Sequence, residues 1–426
     1  MEHKYGHSML SEFMFDPEYL NLNTGAFGCL PRAVQASYNK FVEEVESNPD
    51  LFVRKKLAHR FNEIRQRLAQ LLNAGEDECV LVPNVDHGIS LILRSIPWTG
   101  DDTVVYTSTA FYQIKRNITL LPEGKTHPPN LSEFPLTFPE SNKSILDRFA
   151  AHLHELKTKR VENSKVVAVF DTIISTPGVL MPWKEMVDIC RREGVLSVID
   201  AAHSIGHELD INLDEAKPDF WAGNCSKWLW AKRGTGLLYV PKRNQHMIPH
   251  NIPAGIPLIG KGSTLASPFG AEFVWCGSAD VALFLSIGAA LDFRMSIGGE
   301  EKIVRYSRDM AVRGSNRLAE ILGTEVMKND DYVSGESTFC MTNVRLPLSS
   351  SIGNGNSNPR DVITAFDDKL LEERKAYATV FYHNGAWWAR PTAQIHNEIS
   401  DFERFGKILL EVCQEIEEEF GRPNAQ

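Results

Sequence analysis

The stretch from Val195 to Gly236 constrains the fold of this chain more than any other. It begins with an apolar run of β-preferring residues, Val195 to Ile199, which predicts a buried strand. Asp200 follows directly, at the carboxyl end of that strand, where open α/β sheets bind ligands. Further on, Lys227 lies in a tryptophan-rich segment, and a lysine pressed among indoles loses hydration, which favours its neutral, nucleophilic amine. The stretch therefore predicts an α/β domain that offers an acid and an amine suited to carbonyl chemistry.

Asp200 and Lys227 match the two protein groups that pyridoxal phosphate requires. An acid beside the pyridine nitrogen keeps the ring protonated, and a lysine holds the aldehyde as a Schiff base. Each residue also has a plainer explanation, because Asp often follows a strand and a Lys beside Trp often lies on the ring at the surface. A metal site formed by Asp200, His203 and His207 is a further alternative, with the two histidines one helical turn apart. The intervening Ser204-Ile-Gly206 disfavours a helix there.

Three short motifs in this order resemble the class V aminotransferase family of fold-type I pyridoxal-phosphate enzymes. They are Asp200-Ala-Ala-His203, Asn224-Cys-Ser-Lys227-Trp228 and Arg233-Gly-Thr-Gly236. Within the family, the pattern is similar to the branch of isopenicillin N epimerase-like proteins, ergothioneine-pathway C–S lyases and the fungal loline-pathway enzyme. The resemblance extends from about Tyr19 to Asp401. It implies an α/β fold with a large domain built on a mostly parallel, seven-stranded-type sheet, a smaller α+β C-terminal domain, and a homodimer.

The resemblance also implies roles for four residues around the cofactor. Lys227 would hold pyridoxal phosphate and then move the α-proton of the substrate. Asp200 would keep the ring nitrogen protonated. Asp171 and His203 would flank the ring oxygen. A turn residue at a strand end is the plainer explanation of Asp171.

Aromatic residues and a remote arginine complete the predicted site. The resemblance implies that Phe111 or Tyr112 stacks on the cofactor ring and assists catalysis there, with Phe111 favoured by register. Arg390 resembles the arginine that binds the substrate carboxylate in the family, and its planar fork suits a carboxylate. A surface arginine stacked on the two preceding tryptophans is the plainer alternative. The resemblance implies that the N-terminal loop with Asn23, Gly25 and Ala26 passes over the active site, where Asn23 and Gly25 would contact the substrate; a plain turn is the alternative.

The turn that carries Asp86 and His87 joins a short strand to an amphipathic helix, which makes a seat for a phosphate. The family has Thr or Ser at these two positions. An ionised Asp86 would repel a phosphate, so we expect it to point away or cap the helix, whereas a protonated His87 would add a charge-assisted bond unless it is simply exposed. The resemblance implies that Asn224 and Ser226 also contact the phosphate. It implies too that Ser278 reaches the phosphate of a neighbouring subunit, unless Ser278 only caps a helix.

The chain divides into three predicted parts. Residues 1–22 form an N-terminal segment that joins the small domain, residues 23–298 form the large cofactor-binding domain, and residues 299–426 form the small C-terminal domain. The proline-rich stretch from Pro122 to Asn142 predicts an irregular surface loop near the mouth of the site.

Composition restricts the partners and the compartment. The chain has 45 basic and 55 acidic residues, a net charge of −10, so it offers no electrostatic footprint for nucleic acid or an anionic membrane. No segment has the ~18 continuous apolar residues of a membrane span. Seven cysteines without paired CxxC spacing predict a reducing compartment, by default the cytoplasm.

The residues leave the reaction type more open than the cofactor. The resemblance to the loline-pathway and C–S lyase branch implies an enzyme that acts at Cα, Cβ or Cγ of an amino-acid substrate, by elimination or substitution, as a lyase or cyclase of secondary metabolism. An epimerase or an aminotransferase of the same family is the alternative. A catalytically impaired binding protein with the same fold is an alternative of another class, because Asp86, Phe111 and Ser226 replace groups that the family uses.

Overall fold

The computed structural model describes residues 4–123, 127–248, 268–328, 339–354 and 357–421. The strands, in chain order, are β1 (Leu20–Asn21), β2 (Cys79–Val82), β3 (Thr103–Thr107), β4 (Asn130–Phe134), β5 (Val166–Asp171), β6 (Ile173–Ile174), β7 (Val179–Leu180), β8 (Leu196–Ala201), β9 (Phe220–Asn224), β10 (Gly236–Tyr239), β11 (Val344–Arg345), β12 (Ala376–Tyr377), β13 (Thr379–His383) and β14 (Ala386–Arg390).

In the first half of the chain, helices alternate with the strands, as expected for an α/β fold. They are α1 (Thr24–Phe27), α2 (Arg32–Ser47), α3 (Pro49–Leu51), α4 (Leu57–Leu71), α5 (Val85–Ser95), α6 (Tyr112–Thr119), α7 (Asn142–Thr158), α8 (Trp183–Glu193), α9 (Leu213–Ala216), α10 (Pro268–Ala271), α11 (Ala282–Ser296), α12 (Gly299–Leu322), α13 (Pro359–Asp367) and α14 (Ile399–Phe420).

A seven-stranded sheet in the order β2-β10-β9-β8-β5-β3-β4 organises the larger part of the molecule. Only β10 runs antiparallel to its neighbours, and the other pairs are parallel. Its inner strands β5 and β8 are buried except at Leu196, the first residue of β8, which explains their near-continuous apolar sequence. The predicted α/β fold with a mostly parallel seven-stranded sheet is confirmed.

The strands β5 and β8 bring the two predicted acids to the same edge of this sheet. They are adjacent and parallel, and their register pairs Asp171 with Asp200. The connection between them is α8, which packs a buried face that includes Trp183 and Met186 onto the sheet. The helix ends at Gly194, whose φ of 68° is the left-handed conformation that glycine adopts readily. In the sequence, the apolar strand that ends at Asp171, the helical pattern from Pro182 to Gly194 and the strand before Asp200 form a βαβ unit, which predicts that the two acids leave the same sheet edge. The structure confirms this prediction.

A second hydrophobic core lies against α12 and α14, which pack on the three-stranded sheet β11-β14-β13. Leu20 and Leu22 from the N-terminal segment belong to this core, and β1 pairs with β12. The N-terminal segment is thus held by the C-terminal part of the chain. The exact domain boundaries at residues 22 and 298 stay predictions.

The predicted irregular loop from Pro122 to Asn142 is wrong in its centre, where β4 adds an edge strand to the large sheet. Asn130, Leu131 and Glu133 on this strand are exposed, so it lacks the apolar run that marks the buried strands. Among the described residues, no single helix has the length and apolar character to cross a membrane, and only the bent pair of α11 and α12, at 75°, passes that test jointly.

Candidate active site

Lys227 lies on the loop between β9 and β10, with its amine against His203. Its Nζ atom is 3.3 Å from His203 Nε2, and Trp228 Nε1 donates to His203 Nδ1 at 3.2 Å. Burial lowers the pKa of the Lys227 amine to about 8, although the charge of Asp200 opposes this shift. The amine is therefore far more nucleophilic at neutral pH than an exposed lysine. The nucleophilic amine predicted from the neighbouring indoles is thus present, with Trp228 bonded to the histidine beside it.

The Asp171 and Asp200 side chains extend from the carboxyl ends of β5 and β8, and both are buried. Burial raises the pKa of Asp200 to about 6, even though Ala202 N–H donates to its Oδ1 at 2.9 Å. Burial also raises the pKa of Asp171 well above its ordinary value, and the negative charge of Asp200 raises it further. The charge of Lys227 opposes these shifts, because it lowers the pKa of both acids. The sheet edge therefore brings together the acid pair and the lysine that the sequence singled out.

Arg390, the last residue of β14, is fully buried, and its charge lowers the pKa of Lys227. Its Nη1 donates to the carbonyl and hydroxyl oxygens of Ser175, at 2.6 and 2.9 Å. Its Nη2 donates to Asn23 Oδ1 and Thr379 Oγ1, at 3.1 and 3.2 Å. Its Nε is buried without a partner, and none of the described carboxylates forms an ion pair with it. A buried cation with neutral partners and a free donor suits an incoming carboxylate.

Ser175 and Thr379 were missed as residues that orient this arginine. Thr379 also donates to Asn23 Oδ1 at 2.8 Å, so the threonine and the asparagine hold the guanidinium together. Asn23 and Arg390 are 367 residues apart in the chain, and no local pattern could have joined them. Asn23 was expected only in a loop over the site, and this contact places it beside Arg390. Its role in substrate binding stays a prediction.

The predicted phosphate seat at the start of α5 is partly filled by asparagine side chains. Asn84 Oδ1 accepts from His87 N–H at 2.8 Å, and Asn224 Oδ1 accepts from Val85 N–H at 3.1 Å. Asp86 lies in the first turn of the helix, and burial raises its pKa while the charge of Lys227 lowers it. A protonated Asp86 would not repel a phosphate and could donate to it. The predicted helix is present, but it begins at Val85, so Asp86 and His87 lie in its first turn and not in a turn before it. The N-cap role of Asn84 and the contact from Asn224 were not predicted.

Phe111 and Tyr112 are adjacent but differ in their relation to the lysine. The Lys227 amine is 5.8 Å from the centre of the Phe111 ring, which is 40% exposed. Tyr112 is 62% exposed at the first position of α6. The structure thus brings Phe111 to the lysine, as the predicted register favours. The hydroxyls of Thr107 and Thr109, just before it in the chain, are buried without a partner among the described residues.

The N-terminal loop packs closely on the lysine loop. A Cβ atom added at Gly28 would lie 2.1 Å from the carbonyl oxygen of Ser226, and Gly28 has a φ of 70°. A Cβ atom at Gly25 would lie 3.1 Å from the Trp228 indole. Both glycines therefore allow a close approach that a larger residue would prevent. Gly25 lies against Trp228, and Gly28 lies against the backbone of Ser226, the residue before Lys227.

Ser278 lies outside the cluster around Lys227, in the exposed segment before α11. The N-cap residue of that helix is Val281, and no side chain caps it. Asp280, not Ser278, bonds to the helix start, since Asp280 Oδ1 accepts from Ala282 N–H at 3.0 Å. The structure contains one chain, so the contact of Ser278 with a neighbouring subunit stays a prediction.

His207 is hydrogen-bonded through both of its ring nitrogens. Its Nδ1 is 3.0 Å from the carbonyl oxygen of His203, and its Nε2 accepts from Cys340 N–H at 2.9 Å. The metal alternative formed by Asp200, His203 and His207 would have to break one of these bonds. Among the described residues, no group of three or more His, Cys, Asp and Glu side chains is arranged to hold a metal ion.

The arrangement fits pyridoxal phosphate. An amine with a lowered pKa suits the aldehyde, and a buried acid suits the pyridine nitrogen. His203 and Asp171 lie where they can flank a ring oxygen between these groups. The unpaired donor on Arg390 completes the set for a substrate that carries a carboxylate.

Comparison with known proteins gives the family context for this site. The family model described as "Aminotransferase class-V" matches residues 22–346. The L-cysteine desulfhydrase-like protein lolT1 of Epichloe uncinata is 34% identical, over 97% of this chain and 96% of that protein. The hercynylcysteine sulfoxide lyase of Schizosaccharomyces pombe is 27% identical, over 96% of this chain and 98% of that protein. The solved structure of the cystine C–S lyase C-DES has a TM-score of 0.74 at 16% identity, covering 93% of this chain and 98% of that one.

Proposed function

Since the chain belongs to the class V aminotransferase family and is a pyridoxal-phosphate enzyme, we propose that it cleaves the Cβ–S bond of a cysteine-type amino acid by β-elimination. The observation that carries the proposal is the cluster of a lysine with a lowered pKa, an adjacent histidine and a buried arginine with a free donor. Two relatives whose names refer to cleavage at cysteine sulfur support the substrate class.

The reaction consumes water and forms three products. A sulfur-substituted cysteine and one water would give a thiol, pyruvate and ammonia, and free cysteine would give hydrogen sulfide as the thiol. When bound, pyridoxal phosphate withdraws electrons from the α-carbon of the amino acid, which acidifies the α-proton and weakens the bond to a leaving group at Cβ. The remaining requirements fall on the protein.

Four side chains would meet those requirements. Lys227 would hold the aldehyde carbon and afterwards take the α-proton on its neutral Nζ. Asp200 would act as an anion that holds a proton at the pyridine nitrogen. The charge of Lys227 and the Ala202 N–H both favour this anionic form. His203 would donate to the ring oxygen from Nε2. Arg390 would bind the substrate carboxylate, with Ser175, Asn23 and Thr379 orienting it.

The state of the cysteines favours elimination over transfer of sulfur to the protein. A sulfur-accepting cysteine needs an accessible thiolate. Six of the seven cysteines are buried, and burial raises the pKa of these six thiols, so they are protonated at neutral pH. Only Cys276, before α11, is partly exposed. Elimination needs no such residue, because the thiol leaves with a proton.

The proposal is tested by incubating the enzyme with L-cysteine and S-alkyl cysteines in heavy water. Equal amounts of pyruvate and thiol are expected, and none with Lys227→Ala. Borohydride reduction and peptide mapping should place the cofactor on Lys227. Deuterium at the α-carbon with racemisation and an intact carbon skeleton would instead identify an epimerase, and sulfur retained on the protein would identify a transfer reaction.

We also propose a cytoplasmic homodimer, as the resemblance and the cysteine usage predict. The exposure of Ser278 leaves it available to a second copy. Light scattering after size-exclusion chromatography should give twice the mass of 47.9 kDa. A monomer mass with full activity would reject a shared site.

A further inference from the structure

Trp228 and Lys227 contact opposite nitrogens of the same imidazole. Trp228 Nε1 is 3.2 Å from His203 Nδ1, and Lys227 Nζ is 3.3 Å from His203 Nε2. Trp228 and His203 are both buried. The histidine therefore connects the indole to the reactive amine within one hydrogen-bonded row.

The chemistry of the indole decides where the histidine carries its proton. An indole N–H is a donor only, so the nitrogen that accepts from it has no proton. Burial lowers the pKa of His203 well below its ordinary value, so the ring is neutral. A neutral imidazole with a bare Nδ1 has its proton on Nε2. That proton faces the lysine.

We propose that Trp228 is a positioning residue that fixes the tautomer of His203, so that the histidine presents Nε2–H, a donor, to the Lys227 amine. A neutral amine can accept this hydrogen bond through its lone pair, whereas an ammonium group has no lone pair to offer. Trp228 thus acts on Lys227 through His203, by favouring the form of the lysine that attacks an aldehyde and takes a proton. The inference rests on the proposed function only for this catalytic consequence.

The position of Trp228 is itself fixed. His207 stacks on the indole with ring centres 3.9 Å apart and an angle of 24°. His207 Nε2 accepts from Cys340 N–H at 2.9 Å, so its Nδ1 carries the proton and donates to the carbonyl oxygen of His203 at 3.0 Å. His207 holds both the indole and the backbone of the histidine that the indole contacts. Neither the Trp228 indole nor the His203 ring can therefore rotate without breaking several of these contacts.

Other charges act on the two titrating groups, and any test must keep them constant. For the lysine amine they are the acids Asp200, Asp86 and Asp171, which favour the charged form, and Arg390, which disfavours it. For His203 they are Lys227, Arg390 and His207. Replacement of Trp228 by phenylalanine removes none of these charges.

Trp230 offers a matched control for such a replacement. It is buried like Trp228 and lies two residues away, but its indole nitrogen has no partner in the part of the chain that the structure describes. It packs against Phe13 with ring centres 5.5 Å apart and lies over the Arg294 guanidinium at 4.4 Å. Trp230→Phe removes an unbonded N–H, whereas Trp228→Phe removes the bond to His203.

The first measurement uses the full-length wild-type chain without cofactor or substrate. Nitrogen-15 NMR of the histidine rings, with His203 assigned from a His203→Gln variant, should show Nε2 protonated and Nδ1 bare. A proton on Nδ1 would overturn the inference. Because no reaction is measured, this result is independent of whether the enzyme is a C–S lyase.

The second measurement is the rate of lysine modification against pH, read at Lys227 by peptide mapping. Without the indole donor, His203 can place its proton on Nδ1 and accept from an ammonium group, so Trp228→Phe should move the midpoint upward by about one pH unit. Trp230→Phe should leave the midpoint unchanged. An equal shift in both variants, or none in Trp228→Phe, would contradict the proposal.

Discussion

Asp171 and Asp200 lie opposite each other at the ends of the adjacent parallel strands β5 and β8, and they share one electrostatic environment. Burial raises the pKa of both, and the Asp200 charge raises that of Asp171 further. Two neighbouring carboxyl groups in a buried site resist ionising together. We conclude that Asp171 is the protonated member of the pair and Asp200 the one that ionises.

This division of roles predicts unequal effects of two isosteric substitutions. Asparagine resembles a protonated aspartic acid, so Asp171→Asn should change kcat by no more than about threefold, whereas Asp200→Asn removes the charge that holds a proton at the pyridine nitrogen and should lower kcat by about 100-fold or more. Steady-state assays of thiol release would measure both. If kcat falls as much in Asp171→Asn as in Asp200→Asn, the conclusion that only Asp200 carries the charge is wrong.

The same pKa of Asp200 predicts how stability depends on pH. The folded-state pKa of about 6 exceeds the ordinary value of 3.8, so between these values the folded chain keeps a proton that the unfolded chain has lost. The free energy of unfolding should therefore fall as pH rises through this window. Relative to Asp200→Asn, the wild type should lose about 2 kcal/mol between about pH 4.5 and about pH 7.

Urea unfolding of the cofactor-free chain at the two pH values would measure this difference. The Asp200→Asn variant serves as the reference, because other titrating groups contribute to both proteins and largely cancel. A difference between the two proteins that stays constant with pH would show that Asp200 has an ordinary pKa.

The sequence predicted the sheet and the acid pair because both depend on local pattern. Continuous apolar runs mark the buried strands that end in Asp171 and Asp200, and the βαβ connection makes those strands neighbours. The edge strand β4 was missed because its exposed residues have no such run. Burial of Phe134 alone does not distinguish a strand from a loop.

Contacts between distant parts of the chain could not be predicted in this way. The orientation of Arg390 depends on Ser175 and Thr379, which lie 215 and 11 residues away, and on Asn23 at the opposite end of the chain. The hydrogen bond from Trp228 to His203 depends on the path of the loop after β9. Residue type indicated which groups were chemically useful, but only the fold decides which of them meet.

Arg390→Gln should raise KM for the amino acid. The variant keeps hydrogen-bonding capacity but loses the charge and the fork, and loss of a buried charge-assisted contact to a carboxylate weakens binding about 100-fold. Thr379→Val should raise KM less, since it loosens Arg390 without removing it. Affinity for cysteamine, which lacks the carboxylate, is the control and should not change. Equal loss for cysteamine in Arg390→Gln would mean that the arginine acts on the site generally.

Gly28→Ala should displace the loop that carries Lys227 without changing any group proposed to react. The added Cβ would lie 2.1 Å from the carbonyl oxygen of Ser226, on a backbone with a φ of 70°, so the loop or the backbone has to move. We expect a loss of about 2 kcal/mol in stability and weaker cofactor retention. Gly100→Ala is the control, because nothing lies within 4 Å of its added Cβ. Thermal unfolding and the visible absorption of the bound cofactor measure both effects, and equal behaviour of the two variants would contradict the close approach.

Phe111→Ala and Tyr112→Ala should separate the two aromatic candidates. Phe111 lies 5.8 Å from the Lys227 amine, whereas Tyr112 is 62% exposed, so only the first can stack on a ring held by that amine. A stacked aromatic pair contributes about 1 kcal/mol beyond its buried area, so Phe111→Ala should weaken pyridoxal-phosphate binding at least about fivefold. Tyr112→Ala should leave the Kd within about twofold, because loss of an exposed side chain removes little buried area. Fluorescence titration of the cofactor-free chain gives both constants, and a larger loss in Tyr112→Ala would transfer the stacking role to the tyrosine.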